Sequence, residues 1–169
     1  RMAGFGGAFG VHLALSDEDI SALHRGGYLH DVGKVGIPDA ILLKTGPLEP
    51  GERALMEKHP IIGEGLCGAL RLLRPVRPII RWHHERLDGS GYPDGLREDA
   101  IPLLAQMMGI VDVFDALTTD RVYRNRLSWD DASLVLQQEA ARGWRNPHLV
   151  DEFISLCRSG RLETPIATL

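Results

Sequence analysis

Most of what this sequence lacks rules something out. Cysteine is scarce: 169 residues hold only Cys67 and Cys157. Two thiols so far apart build neither a disulfide framework nor a CxxC site. Cys67, inside Gly65-Leu66-Cys67-Gly68, reads as a small buried hydrophobe. Positive charge is not in surplus. Nineteen Lys and Arg stand against 23 Asp and Glu, and the net charge of -4 argues against bulk binding of a nucleic-acid polymer. Long apolar runs are missing. The longest, residues 101–111, carries Gln106 and falls short of the roughly 20 residues that span a bilayer. No signal peptide precedes it, so the cytoplasm is the expected location. No segment holds a convincing strand period, and no internal repeat is visible. An initiating Met is absent too. The chain opens on Arg1 and reads as a piece of something longer.

What is present is ordinary for a globular domain: 44% hydrophobic and 25% charged residues, enough for one domain with a sizeable core. Helical spacing recurs along the chain. Residues 2–13 keep Phe5, Phe9 and Leu13 four apart. Four glycines there, each costing up to about 1 kcal/mol against alanine, mean that this helix either packs very closely or frays. Ser16-Asp17-Glu18-Asp19 resembles a capping box and starts a helix through Ile20 and Leu23 that Gly33 stops. A loop over 35–50 holds a short apolar turn, Ile41-Leu42-Leu43. Further helices are expected from Glu49 to His59, over 61–73 and over 76–84. Residues 85–96, with three glycines and Pro93, lack periodicity and form a loop. Residues 103–117 are apolar nearly all round, hence central. Ser128 caps a helix that ends at Gly143, and Asn146-Pro147 starts the last one, with Leu149, Val150, Phe153, Ile154 and Leu156 inward. The fold class is all-α, with about seven helices.

The chemistry gathers around Leu29-His30-Asp31-Val32-Gly33-Lys34. A lone His-Asp pair before a glycine turn is more often just a hydrogen bond. The rest of the chain changes that, because His59, the doublet His83-His84 and Asp112 recur in apolar settings. Imidazole and carboxylate together suit a divalent metal in the zinc, iron or manganese range. Asp31 has two oxygens and can bridge two ions. Consecutive residues on a helix diverge by about 100°, so His83 and His84 could reach two ions, or one could serve behind the other. Asp112 and Asp115 share a helix face. A paired arginine such as Arg121 or Arg124 suffices for Asp115, whereas Asp112, deeper in the apolar stretch, calls for a metal. A lone His59 would more often cap a helix end. His12, His24 and His148 read as surface residues. Lys34, Arg121 and Arg124 could supply cations to a phosphate.

These residues resemble a known family. His30-Asp31-Val32-Gly33-Lys34 with Gly36-Ile37-Pro38-Asp39 is similar to the HD-GYP group of HD-domain metal-dependent phosphohydrolases. So is His83-His84-Glu85-Arg86 running into Asp88-Gly89-Ser90-Gly91-Tyr92-Pro93, and so is Asp112-Val113-Phe114-Asp115-Ala116-Leu117-Thr118-Thr119-Asp120-Arg121. The resemblance covers nearly the whole chain. It implies an HD-domain helical bundle over residues 1–169, truncated at its N-terminus, and hydrolysis of cyclic di-GMP to pGpG, GMP or both. The implied metal ligands are His30, Asp31, His59, His83, His84 and Asp112, with Asp31 bridging and also catalytic. Lys34 would act in catalysis and touch phosphate with Arg121 and Arg124. Asp115, Tyr92 and Pro93 would line the substrate groove. The cofactors would be two divalent transition metals, iron or manganese, or three where the family supplies a Glu and a His just upstream. Arg1 looks like the arginine that follows that histidine, so this chain is expected to hold two ions and to show low activity. Val122 stands where the family usually has proline.

Two other readings compete. One is an HD phosphohydrolase acting on another nucleotide, against which the Gly89-to-Pro93 motif argues. The other is a weakly active or inactive module that binds cyclic di-GMP, or docks a diguanylate cyclase through the Tyr92-Pro93 loop. Partners are therefore the cyclic dinucleotide, that cyclase and a second copy in a homodimer, with no membrane segment.

Overall fold

The structure, a computed structural model, describes residues 1–120 and 125–163. Nine α-helices are present among them: α1 (Met2–His12), α2 (Asp17–Leu29), α3 (Asp39–Leu42), α4 (Pro50–Met56), α5 (His59–Gly68), α6 (Arg77–Trp82), α7 (Leu103–Leu117), α8 (Trp129–Ala141) and α9 (Pro147–Arg158). The described residues hold no strand, only an isolated bridge between Asp88 and Arg97. The all-α expectation holds. The helix count exceeds seven because short pieces such as the four-residue α3 stand as helices of their own. Among the described residues, no helix is long and apolar enough to cross a membrane.

Helix starts follow the capping residues. Ser16, Ser128 and Asn146 each accept a hydrogen bond from the backbone N–H three residues on. The capping box expected at Ser16 is half made. Asp19 accepts from the Ser16 hydroxyl at 2.8 Å, and no bond from the Ser16 N–H to Asp19 is seen. One expected boundary moves, at His59. It opens α5 instead of closing α4, because Pro60 is tolerated only in a first helical turn.

Of the two fates open to the glycine-rich α1, close packing is the one observed. Ala3, Phe5, Gly6, Gly7, Ala8, Phe9 and Gly10 are buried, and α1 lies against α2 and α7. A Cβ at Gly27 of α2 would overlap the Ala3 backbone, and one at Gly6 would crowd the Leu23 carbonyl and Met108. The helix is thus a wall of the core and not a frayed end. Beneath it run Phe9, Phe153, Phe114 and Phe5, with ring centroids 5.1–6.2 Å apart. Helix α7 is central as expected, with Met107, Met108, Ile110, Val111 and Phe114 fully buried. The inward face read for α9 is buried in full.

One close approach sets the positions of the candidate ligands. After α2 the chain makes a 3-10 turn, Val32–Gly36, that packs on the start of α5. At Gly33 a Cβ would overlap the His59 carbonyl oxygen and the Gly63 nitrogen. Replacing Gly33 by Ala should therefore cost about 3 kcal/mol, the upper end of ordinary overpacking. Gly51→Ala is the control, since a Cβ there meets nothing within 4 Å. Urea midpoints that match for the two variants would show that the contact carries no such constraint.

Candidate metal centre

Four segments converge on one point. His30 follows α2, and Asp31 precedes the 3-10 turn. His59 is the first residue of α5, His83 and His84 follow α6, and Asp112 sits within α7. Asp31, His59, His83 and His84 each present one ligand-type atom, and those atoms all lie within 4.8 Å of one another. His30 and Asp112 adjoin them. The Nε2 of His30 is 3.4 Å from Asp31 Oδ2 and 3.9 Å from Asp112 Oδ1, while the Nε2 of His59 is 3.3 Å from Asp31 Oδ1. The two oxygens of Asp31 thus face two different histidines.

Backbone hydrogen bonds select the tautomers. His59 Nδ1–H donates to the Met56 carbonyl at 2.9 Å, and His83 Nδ1–H to those of Ile80 and Ile79 at 3.0 and 3.1 Å. A carbonyl only accepts, so the proton is on Nδ1 and the Nε2 lone pair points into the cluster. Both Nε2 atoms are buried without a hydrogen-bond partner. Such orphaned acceptors cost about 1–3 kcal/mol each and call for a missing partner. A divalent cation satisfies them, and this donor set of imidazoles and a carboxylate fits one.

The electrostatics agree. Burial pushes the His83 imidazole down to about 3, with the fields of His30 and His59 adding to it. Burial and the adjacent His83 push His84 down further. For Asp31, burial is outweighed by the adjacent His30 and His59 rings and by the field of Lys34, so the carboxyl is far below its usual range. His30 is raised, because Asp31 overcomes the effect of burial. Burial raises Asp112. The result is an anionic Asp31 beside the neutral imidazoles of His83 and His84, which is the protonation state a metal site needs.

The His83 and His84 rings lie together. Their centroids are 3.9 Å apart and both residues contribute to the same cluster. Helix α6 ends at Trp82, and His83 is its C-cap. Lys34 lies beside the cluster, its Nζ donating to Asp31 Oδ2 at 2.6 Å. Tyr92 stacks on His84, centroids 4.7 Å apart and planes tilted by 29°, and Pro93 follows it in the same loop. Asp115 is held elsewhere. Its carboxylate pairs with Arg1 at 2.6 Å, and it is not among the described residues that line the cavity beside the cluster. Its partner is an arginine as the sequence suggested, but a distant one. Arg121 and Arg124 lie outside the described residues. Of the three histidines read as surface, His148 is exposed, His12 bonds Glu152 at 2.8 Å and His24 packs on Tyr28. None joins the cluster.

His84 and Asp112 open onto a cavity of about 630 Å³, whose wall also includes Tyr92, Arg86, Glu139 and Arg145. Glu85, missed in the sequence reading, anchors the loop that carries Tyr92. It is 3% exposed and accepts from the backbone N–H groups of Asp94, Gly95 and Leu96 at 2.7–3.1 Å. Its place directly after His83-His84 was the available signal. Arg145 and Glu139 had none, since they come from α8 and the turn after it.

The neutral His83 makes metal-free protein acid-labile. Folded His83 stays unprotonated down to about pH 3, whereas the unfolded chain takes up that proton near pH 6.5. Its stabilisation is complete above pH 6.5 and is lost as pH falls below it, by at most about 1.4 kcal/mol per unit. Urea unfolding in chelator should therefore show a shallower loss from pH 7 to pH 5 in His83→Gln than in the parent chain. Equal losses would place the acid lability in other groups.

The comparisons with known proteins point the same way. The HD-domain family profile matches residues 1–149. A cyclic di-GMP phosphodiesterase response regulator of Xanthomonas campestris is 41% identical over 91% of this chain and 41% of its own length. A cyclic di-GMP phosphodiesterase of Thermotoga maritima is 34% identical over 92% of the chain and 43% of its own. A 3′3′-cGAMP-specific phosphodiesterase of Vibrio cholerae is 38% identical over 86% and 30%. The chain thus spans less than half the length of these relatives. Among solved structures, an HDG"Y"P protein from Bdellovibrio bacteriovorus has a TM-score of 0.71 at 23% identity, covering 92% of this chain and 51% of that one. By the profile match across most of its length, with the paired His30-Asp31 and its converging partners in place, the chain belongs to the HD-domain family.

Proposed function

We propose that this chain is a metal-dependent phosphodiesterase that hydrolyses cyclic di-GMP to pGpG, GMP or both, in the cytoplasm. The observation that carries this reading is the set of four donors within 4.8 Å, from Asp31, His59, His83 and His84, beside a cavity large enough for a nucleotide. The names of the relatives support the substrate. We assign two ions, iron or manganese, to His30, Asp31, His59, His83, His84 and Asp112. Asp31 would help to hold both, since its two oxygens face His59 on one side and His30 on the other. When bound, the metal supplies Lewis acidity and a water of lowered pKa.

The chain's own residues do the rest. Asp31, His59, His83 and His84 present donors within 4.8 Å of one another, so little reorganisation would be needed to hold an ion. Lys34, 2.6 Å from Asp31, donates a hydrogen bond to a phosphate oxygen or to the departing 3′-oxygen. Arg121 and Arg124 are assigned to the remaining phosphate oxygens, and Tyr92 with Pro93 to the groove wall. A docking role for the Tyr92-Pro93 loop is less favoured, because Tyr92 is turned inward onto His84.

Protein loaded anaerobically with iron or manganese should release pGpG or GMP from cyclic di-GMP, and chelation should abolish it. Failure to bind either metal would refute the reading. Lys34→Ala should retain its metal by elemental analysis and turn over about 100-fold more slowly, the size of a lost acid-base or electrostatic group. Loss of metal in that variant would give Lys34 a structural role instead.

A further inference from the structure

We propose that Arg145, oriented by Glu139, is the specificity-determining residue of the cavity and reads the N7 and O6 edge of a guanine base. The proposal rests on the cyclic-dinucleotide reading above and deepens it. Arg145 is 7% exposed, yet it lines the cavity. Its Nε donates to Glu139 Oε2 at 2.9 Å, and its two terminal nitrogens have no hydrogen-bond partner among the described residues. A buried ion pair is a poor stability device, since hydrophobic residues of the same volume often do as well. Two donors without a partner among the described residues, on a guanidinium that lines a cavity, are the stronger sign that a ligand completes them.

The arginine is seated. Helix α7 lacks a side chain at Gly109, where a Cβ would overlap a terminal nitrogen of Arg145 and crowd the His83 carbonyl. The turn that carries Arg145 is latched to the Tyr92 loop. The Leu87 N–H donates to the Trp144 carbonyl at 3.1 Å, and the Arg86 guanidinium lies 3.7 Å from the Trp144 ring centroid. Gly109 is one helical turn before Asp112, so the guanidinium lies on the α7 face that also carries that candidate ligand.

Charge decides the kind of ligand. Glu139 already neutralises Arg145, and a phosphate placed there would meet its carboxylate. A neutral, planar acceptor edge suits a neutral pair better. Guanine offers two acceptors, N7 and O6, in the geometry of a guanidinium fork, whereas adenine offers N7 and the donor N6 amine. Guanidinium has donors only, so adenine would leave an N–H facing an N–H₂. One bidentate pair of this kind discriminates by about 10- to 100-fold. A single subsite reads one base of a cyclic dinucleotide. Molecules with at least one guanine are then accepted, and their orientation over the metal cluster is set.

The mixed nucleotide 3′3′-cGAMP reports that orientation, because its two phosphodiester bonds are not equivalent. Hydrolysis adds water at phosphorus and breaks one P–O3′ bond, giving pGpA or pApG as the first linear product. Manganese-loaded protein should favour cyclic di-GMP over cyclic di-AMP in kcat/KM by about 10-fold or more and should release one of the two linear products first. In Arg145→Ala the preference should collapse toward 1 and the first product should become a mixture. Arg145→Lys, which keeps the charge and loses the fork, should do the same and stands in if the alanine variant does not fold. Glu139→Gln should give an intermediate preference. Variants that keep the parent's preference and single product overturn the proposal, as does a parent chain with no guanine preference. If the parent splits bis(p-nitrophenyl) phosphate but no cyclic dinucleotide, the substrate reading has failed and takes this proposal with it.

Discussion

The backbone contact between Gly33 and His59 is the constraint on which the rest of the site depends. Asp31 caps the start of a 3-10 turn and His59 opens α5, far apart in sequence. They meet because a side chain is absent at Gly33, which lets the turn rest on the His59 carbonyl. Gly63, one turn further along α5, takes part in the same approach and also faces Ile80 of α6. That second contact brings in the helix that ends at His83 and His84. The core below, built on α7 and the phenylalanine cluster, keeps these elements from separating.

Once assembled, the cluster is held in a costly state. His59 and His83 spend their Nδ1 protons on backbone carbonyls and leave buried lone pairs with no protein partner. Burial keeps His83 neutral, while the neighbouring imidazoles and Lys34 keep Asp31 ionised. The same arrangement that destabilises the metal-free fold in acid is the one that makes the donors available at neutral pH. Stability and binding are coupled here through a few ring nitrogens.

Around this centre the substrate wall is organised by polar anchors. Glu85 takes three backbone N–H groups of the loop, and Asp94 of that loop accepts from Arg81 and Trp82 of α6 at 2.7–2.9 Å. The loop is irregular but not loose, and Tyr92 is delivered onto His84. On the other side, the turn between α8 and α9 brings Trp144 and Arg145 up to the same loop. The cavity is therefore bounded by segments from the middle and from the end of the chain.

Much of this was legible in the sequence. The helical period, the caps at Ser16, Ser128 and Asn146, and the apolar α7 come from local propensity and patterning, which short stretches carry by themselves. The His-Asp pair, the His83-His84 doublet and Asp112 were identifiable because ionisable groups in apolar settings need a partner wherever they end up. Their convergence was not legible, nor was the fate of the α1 glycines, since close packing and fraying look alike until a neighbour is in place. The capture of Asp115 by Arg1 and the seating of Arg145 in the gap at Gly109 join residues from distant parts of the chain. Sequence alone determined which groups need partners and which segments are helical, because those are properties of residues and their near neighbours. Only the tertiary structure decided which partner each group received, because that depends on how closely two backbones approach.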